Sequence, residues 1–278
     1  MSHPIPLNVA LANVPSLATE IAHPSRSDDY RVISTREVLE RMENEGFQIF
    51  QANEKRVRLE GNRGFQKHLV RMRHVSTIGN GAGVPDIILT NAHNGNAAFK
   101  LFSGWFEFAC LNGLIMGEID HAYSVRHTGD VASKVIDAAY RVIGDADKVS
   151  AEVSEMRATL LPRDAIEHFT TRAHALRFGE GDRAPVSPAA FNITRRVDDD
   201  NNSLWSVYNR VQENTIRGGM RGRIVGTNGR MRRASVRAVT NIDRATSINS
   251  ALHGIAREML ATYAKSSAPA ISLMYRAA

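Results

Sequence analysis

From Phe47 to about Arg126 apolar and polar positions alternate with a period close to two. The stretches FQIFQ, KHLVRMRHV, DIILTN and AAFKLF read as strands, separated by Gly- and Asn-rich breaks at 61–64, 79–83 and 94–96 of the composition that turns require. A twisted antiparallel sheet is expected. The segment 104–117 is apolar on nearly every side, so periodicity does not separate a buried strand pair from a short buried helix. A helix is expected there, giving way to a strand from Leu114. On either side of the sheet the period becomes helical. STREVLERMENEG places Ser34 and Glu37 at capping-box spacing, Val38, Leu39 and Met42 on one face, and Gly46 at the stop. Apolar residues at 131, 135, 136, 139, 140, 142 and 143, then at 149, 153, 156 and 160, predict a long helix broken near Gly144. Further helices are predicted over RDAIEHFTTRAHALRF after Pro162, over 203–216, and from about Ser247 to Tyr263.

These elements predict an α+β fold: a twisted antiparallel sheet of β-β-β-α type packed with helices, followed by a helical C-terminal part. Three regions are expected, an N-terminal arm over 1–30, an α+β core over 31–180, and a basic arginine/glycine segment with C-terminal helices over 181–278. The arm holds prolines at 4, 6, 15 and 24, which suggests an extended course. Ile5, Leu7, Val9, Leu11, Val14 and Leu17 make it too apolar for a free tail. It must dock, and in a homo-oligomer, the expected state, it has a neighbouring subunit to lie on.

At 278 residues and 43% hydrophobic, the chain can bury a substantial core. The single cysteine, Cys110, lies in an apolar run and excludes an internal disulfide or a multi-cysteine zinc site. No basic n-region precedes a continuous apolar stretch, and no apolar run approaches the roughly 20 residues needed to span a bilayer. A cytoplasmic protein without membrane contact is expected.

Charge changes this picture more than composition does. Between Arg217 and Arg237 stand seven arginines, Arg217, Arg221, Arg223, Arg230, Arg232, Arg233 and Arg237, with five glycines and no Asp, Glu or Lys. The formal charge of +6 falls to −1 once those seven are set aside. Guanidinium groups this crowded repel one another unless solvent or an anion separates them. Arginine suits bidentate phosphate contacts, and glycines let backbone N–H groups approach closely, as in a loop or hairpin. Nucleic acid is the expected partner. A second basic stretch contains Lys67, Arg71 and Arg73, which would share one face if KHLVRMRHV is a strand and would extend the phosphate track.

Other chemistry finds less support. No G-x-x-x-x-G-K-[ST] exists, which removes a P-loop ATPase, and GNGAGVP leads into a strand and reads as a turn. A metal nuclease would draw on Asp86, Glu118, Asp120, His93, His121 and His127, yet these lack zinc-helix spacing and a usable lysine beside the acids. Asp198–Asp200 reads as an N-terminal cluster for the next helix. No catalytic residue, metal ligand or cofactor is assigned. Phe65, Tyr123, Trp205 and Tyr208 are the candidates for stacking on unpaired bases, the last two being better suited to a core.

Three stretches carry a resemblance: TNAHNGNAAFKLFSGWFEFACLNGLIMG (90–117), RHTG (126–129) and LWSVYNRVQENTIRGG (204–219). Together they resemble the uncharacterised phage/plasmid-like protein family (domain of unknown function 932), over about residues 60–262. The resemblance implies mobile-element biology in a bacterial cytoplasm and assigns no reaction. The order of elements is also similar to that of phage single-strand annealing proteins of the Red-beta type. The leading expectation is therefore an ATP-independent protein that binds or anneals single-stranded DNA in a basic groove. The alternatives are an anti-defence protein whose arginines meet a host protein's carboxylates, and a metal-dependent nuclease.

Overall fold

The computed structural model describes residues 3–26, 32–77, 83–94, 99–107, 110–115, 123–125, 131–144, 146–179, 184–226 and 228–264. Among them no helix is long and apolar enough to cross a membrane. The architecture is α+β, as expected. The chain divides into two units, residues 1–149 with 240–250, and residues 150–239 with 251–278.

The first unit is built on an antiparallel sheet in which β1 (Phe47–Glu54), β2 (His68–His74), β3 (Gly83–Asn91), β4 (Phe99–Glu107) and β5 (Cys110–Ile115) lie side by side in chain order, with β6 (Tyr123–Val125) also paired to β4. Short breaks between successive apolar-patterned runs favour this meander, because each strand finds its predecessor's open edge first. The register puts Phe47, Ile49, Val70, Met72, Ile87, Leu89, Phe99 and Leu101 in one core. Three helices contribute to that core, α1 (Leu7–Asn13), α2 (Thr35–Asn44) and α3 (Val131–Gly144). The Ser34 hydroxyl accepts the Glu37 N–H at 3.2 Å and starts α2, whose Val38, Leu39 and Met42 are buried as their spacing predicts.

Two expectations are corrected. Among the described residues of 104–117 the structure has strands in place of a helix, since β4 runs on to Glu107 and β5 returns against it over Cys110–Ile115. β3 offers β4 a backbone edge along its whole length, and a helix there would leave that edge unpaired. The N-terminal arm is not extended throughout. Pro6 and Pro15 stand at helix starts, where the missing N–H costs nothing, and Ala10, Val14 and Leu17 join the core of their own chain. The Ile5 N–H bonds to the Ile49 carbonyl at 2.7 Å.

The second unit contains the C-terminal part of α4 (Ala146–Ala158), α5 (Arg163–Phe178), α6 (Leu204–Arg217), a two-stranded ribbon of β7 (Arg221–Val225) and β8 (Met231–Ser235), and the later turns of α7 (Ile242–Tyr263). The α7 helix starts earlier than its apolar spacing suggested, with the Asn241 side chain accepting the Arg244 N–H at 2.9 Å. At the centre is α6, buried from Leu204 through Thr215. Its apolar side, with Trp205, Val207, Tyr208 and Val211, meets Phe169 in a stacked pair with Tyr208 at 6.2 Å. Its polar side is buried as well, and burial of Arg210, Glu213 and Asn214 is tolerable because each finds partners. Arg210 donates to Asn192 Oδ1 at 3.0 Å and to the carbonyls of Asp199 and Asn201, and Glu213 accepts from Arg196 at 3.0 Å and Arg217 at 2.9 Å. The Asn-Arg-x-Gln-Glu-Asn pattern is thus a buried framework.

Candidate nucleic-acid interface

The two basic stretches belong to different units and have different fates. In β2, Leu69, Arg71 and Arg73 do share a face, as alternation requires, but both arginines on it are buried. Arg71 Nε donates to Asp86 Oδ2 at 2.8 Å and Arg73 Nε to Asp86 Oδ1 at 2.7 Å, with Asp86 fully inaccessible. Burial lowers the Arg73 guanidinium below its ordinary pKa, and the Asp86 carboxylate opposes that shift. The guanidinium also lies over the Phe50 ring at 3.9 Å. Ile88 and Phe102 complete this second, smaller apolar layer. Lys67 pairs with Asp243. The expectation that Lys67, Arg71 and Arg73 form a solvent-facing phosphate track is therefore corrected: the protein's own carboxylates hold all three.

The arginine/glycine stretch folds as a hairpin. Its ladder pairs Arg221 with Ser235, Gly222 with Ala234, Arg223 with Arg233, Ile224 with Arg232 and Val225 with Met231. The Gly226 N–H bonds to the Arg230 carbonyl at 2.8 Å and the Gly229 N–H to the Gly226 carbonyl at 3.0 Å, closing the turn, with Gly229 at φ +74°. Met220 and Val236 extend the ladder at the root through Val236 N–H to Met220 carbonyl, 2.9 Å. The Arg223 N–H points away from β8, to the Pro185 carbonyl at 3.0 Å, so Arg223 and Arg233 form a non-hydrogen-bonded pair. Such pairs bring side chains closest together.

Alternation then sorts the arginines. Arg221, Arg223 and Arg233 lie on one exposed face with Val225, Met231 and Ser235. Arg232 and Arg230 are also exposed but belong to the opposite register, alongside half-buried Gly222, Ile224 and Ala234. Arg217, at the end of α6, is paired with Glu213, and Arg237 is exposed beyond β8, its carbonyl accepting from Arg177. Of seven arginines, three converge on one ribbon face.

The ribbon's placement depends on residues that charge reasoning passed over. Asn214 on α6 donates to the carbonyls of Phe191 and Ile193 at 3.0 and 2.9 Å and accepts from Arg195 Nε at 2.6 Å, while Arg195 also donates to the Gly218 carbonyl. Gly218, at φ +64°, turns the chain from helix to strand. Farther along, a Cβ on Gly222 would lie 1.7 Å from the Pro185 carbonyl oxygen. Gly222→Val is accordingly expected to displace the ribbon from residue 185. Hydrogen exchange should show lost protection at the Arg223 amide with α6 amides unchanged, and retained protection at Arg223 would contradict this docking.

Other candidate chemistry gains little. Asp86 is engaged by two guanidinium groups, and among the described residues no group of three or more His, Cys, Asp or Glu is placed to hold a metal ion. His93 is buried beside His68. Glu118, Asp120, His121 and His127 lie outside the described residues. Trp205 and Tyr208 are core residues, and burial followed by the nearby Glu152 pushes the Tyr208 phenol up.

Comparison with known proteins fits the sequence resemblance. Two Escherichia coli (strain K12) proteins are similar over 247 residues, which is 89% of this chain and 88% of each relative: UPF0380 protein YafZ at 40% identity and UPF0380 protein YfjQ at 39%. No solved structure matches. Residues 22–252 match the family described as Domain of unknown function (DUF932), a span that takes in the sheet, α6 and the ribbon. The chain belongs to the DUF932 family.

Proposed function

We propose that this protein binds nucleic acid through the exposed face of the β7–β8 ribbon, within the biology of a mobile genetic element. The observation that carries this reading is the cross-strand pair Arg223 and Arg233, with Arg221 beside it and no carboxylate anywhere from 217 to 237. Like charges directly opposite on a strand pair destabilise it, and an anion laid across them reverses the sign. Phosphate fits better than a lone carboxylate, because one bidentate group per guanidinium along a line is what a backbone supplies. Arg71 and Arg73 are spent on Asp86, so the ribbon alone carries the contacts. Binding needs no nucleotide hydrolysis, and assembly into a homo-oligomer along the polymer belongs to the same proposal.

The test is fluorescence anisotropy of the full chain with labelled single- and double-stranded DNA between 50 and about 300 mM salt. Log affinity should fall with log salt by about 0.7 to 0.9 per phosphate neutralised. The variant Arg221→Ala/Arg223→Ala/Arg233→Ala should reduce that slope by about two to three and leave the far-UV circular dichroism unchanged. A slope equal to that of the unmodified chain would reject the ribbon as the interface.

A further inference from the structure

Resting on the reading of the ribbon as a nucleic-acid interface, we infer that its ligand is B-form duplex DNA, entered through a groove by the ribbon with the Val225–Met231 pair at its leading end. The first argument is dimensional. An antiparallel pair of strands about 4.8 Å apart, with its side chains, has the width of the B-DNA major groove, about 12 Å, which admits a two-stranded ribbon. The major groove of duplex RNA is deep and too narrow for side chains to read.

The second argument is chemical. Proteins that hold single strands do so by stacking bases on aromatic rings, and residues 217–237 contain no aromatic residue. Trp205 and Tyr208, the nearest in sequence, are 3% and 0% exposed. A single strand would find arginines and no platform.

The third argument is the tip. Val225 and Met231 are cross-strand partners on the same face as Arg221, Arg223 and Arg233, and are 62% and 57% exposed. Being a non-hydrogen-bonded pair like the two beneath it, their side chains lie close together, forming one small apolar knob at the end of a charged ribbon. Two adjacent exposed aliphatic groups are unfavourable in water and unneeded for a phosphate contact. In a groove they meet thymine methyl groups or the faces of a partly opened base step. The arginines behind them reach the phosphates that line the groove walls, so one face supplies both the apolar and the ionic contact.

The experiment compares a 20-base-pair DNA duplex, a 20-nucleotide oligo-dT and a 20-base-pair RNA duplex in competition for the full chain at about 150 mM salt. DNA duplex is expected to bind at least about tenfold tighter than either. The variant Val225→Ser/Met231→Ser, at exposed positions, should lose about tenfold in duplex affinity, or about 1.4 kcal/mol, with the salt slope unchanged, since no phosphate contact is removed. Oligo-dT binding as tightly as the duplex, or a serine variant that binds duplex as well as the unmodified chain, overturns this inference and leaves the ribbon as a nucleic-acid interface. Absence of binding to all three probes overturns both.

Discussion

Asp86→Ala is expected to destabilise the sheet unit by about 3–5 kcal/mol, the usual cost of removing one partner from a buried ionic cluster. Asp86 is fully buried, with Arg71 Nη2 at 2.6 Å and Arg73 Nε at 2.7 Å from its two oxygens. Deleting the carboxylate leaves two guanidinium groups in a layer that also contains Ile88 and Phe102, without the anion that made their burial tolerable. The Phe50 ring under Arg73 offsets only about 0.5–2 kcal/mol of this. The attraction within the cluster is large, but so is the desolvation of three charges, and the two nearly cancel. For that reason the combined variant Arg71→Met/Arg73→Met/Asp86→Leu should recover most of the loss. Hydrogen-exchange opening free energies of β2 and β3 amides measure both variants. A loss below about 1 kcal/mol for the alanine variant would show that the pair is reached by water, and would reopen Arg71 and Arg73 as ligand-binding groups.

Acid should weaken the same unit through one histidine. His68 is fully buried, with Nε2 3.0 Å from the Thr35 hydroxyl and Nδ1 3.1 Å from that of Ser16, while Asn91 Nδ2 donates to Thr35 at 3.0 Å. Burial above all, then the neighbouring His93 and Lys67, pulls its pKa from the ordinary 6.5 down to about 3, and a hydrogen bond to the Gln66 backbone carbonyl only partly opposes this. The folded protein therefore holds His68 neutral at pH values where the unfolded chain protonates it. Its contribution is intact above pH 6.5 and is lost progressively as pH falls from 6.5 toward 3. At pH 5 the loss is about 2 kcal/mol, from 1.36 kcal/mol for each unit below the unfolded value. Because Ser16 belongs to the N-terminal segment, and its N–H is bonded to Glu54 Oε2 at 3.0 Å, that segment should loosen first. Opening free energies for residues 10–17 and β2 at pH 7 and pH 5 should show the loss in the native chain and a smaller one in His68→Gln. Equal losses in the two would remove His68 as the cause.

Much of the molecule was legible before folding. β1 to β4, the break at Gly144, the Ser34 cap and the helices at 163–178 and 204–217 all follow from apolar period and cap residues, because those signals act over a few neighbouring positions. The family could be read as well from motifs in the sequence, and the comparisons bear out that family. The crowding of seven arginines pointed to the ribbon, although alternation within a sheet was needed to select Arg221, Arg223 and Arg233 from the seven. The strand pair within 104–115 was not legible, since an all-apolar segment carries no period and its form was set by the open edge of β3.

The sequence by itself determined which segments would be helix or strand and where the positive charge would concentrate, because both are properties of neighbours along the chain. Only the tertiary structure decided which charges remain available. Arg71 and Arg73 have the same local alternation as Arg221 and Arg223, yet the first pair meets Asp86 fifteen and thirteen positions away and is buried, while the second pair lies on an exposed ribbon face. The physical reason is that a guanidinium group's role depends on the nearest opposite charge in space and on the water around it.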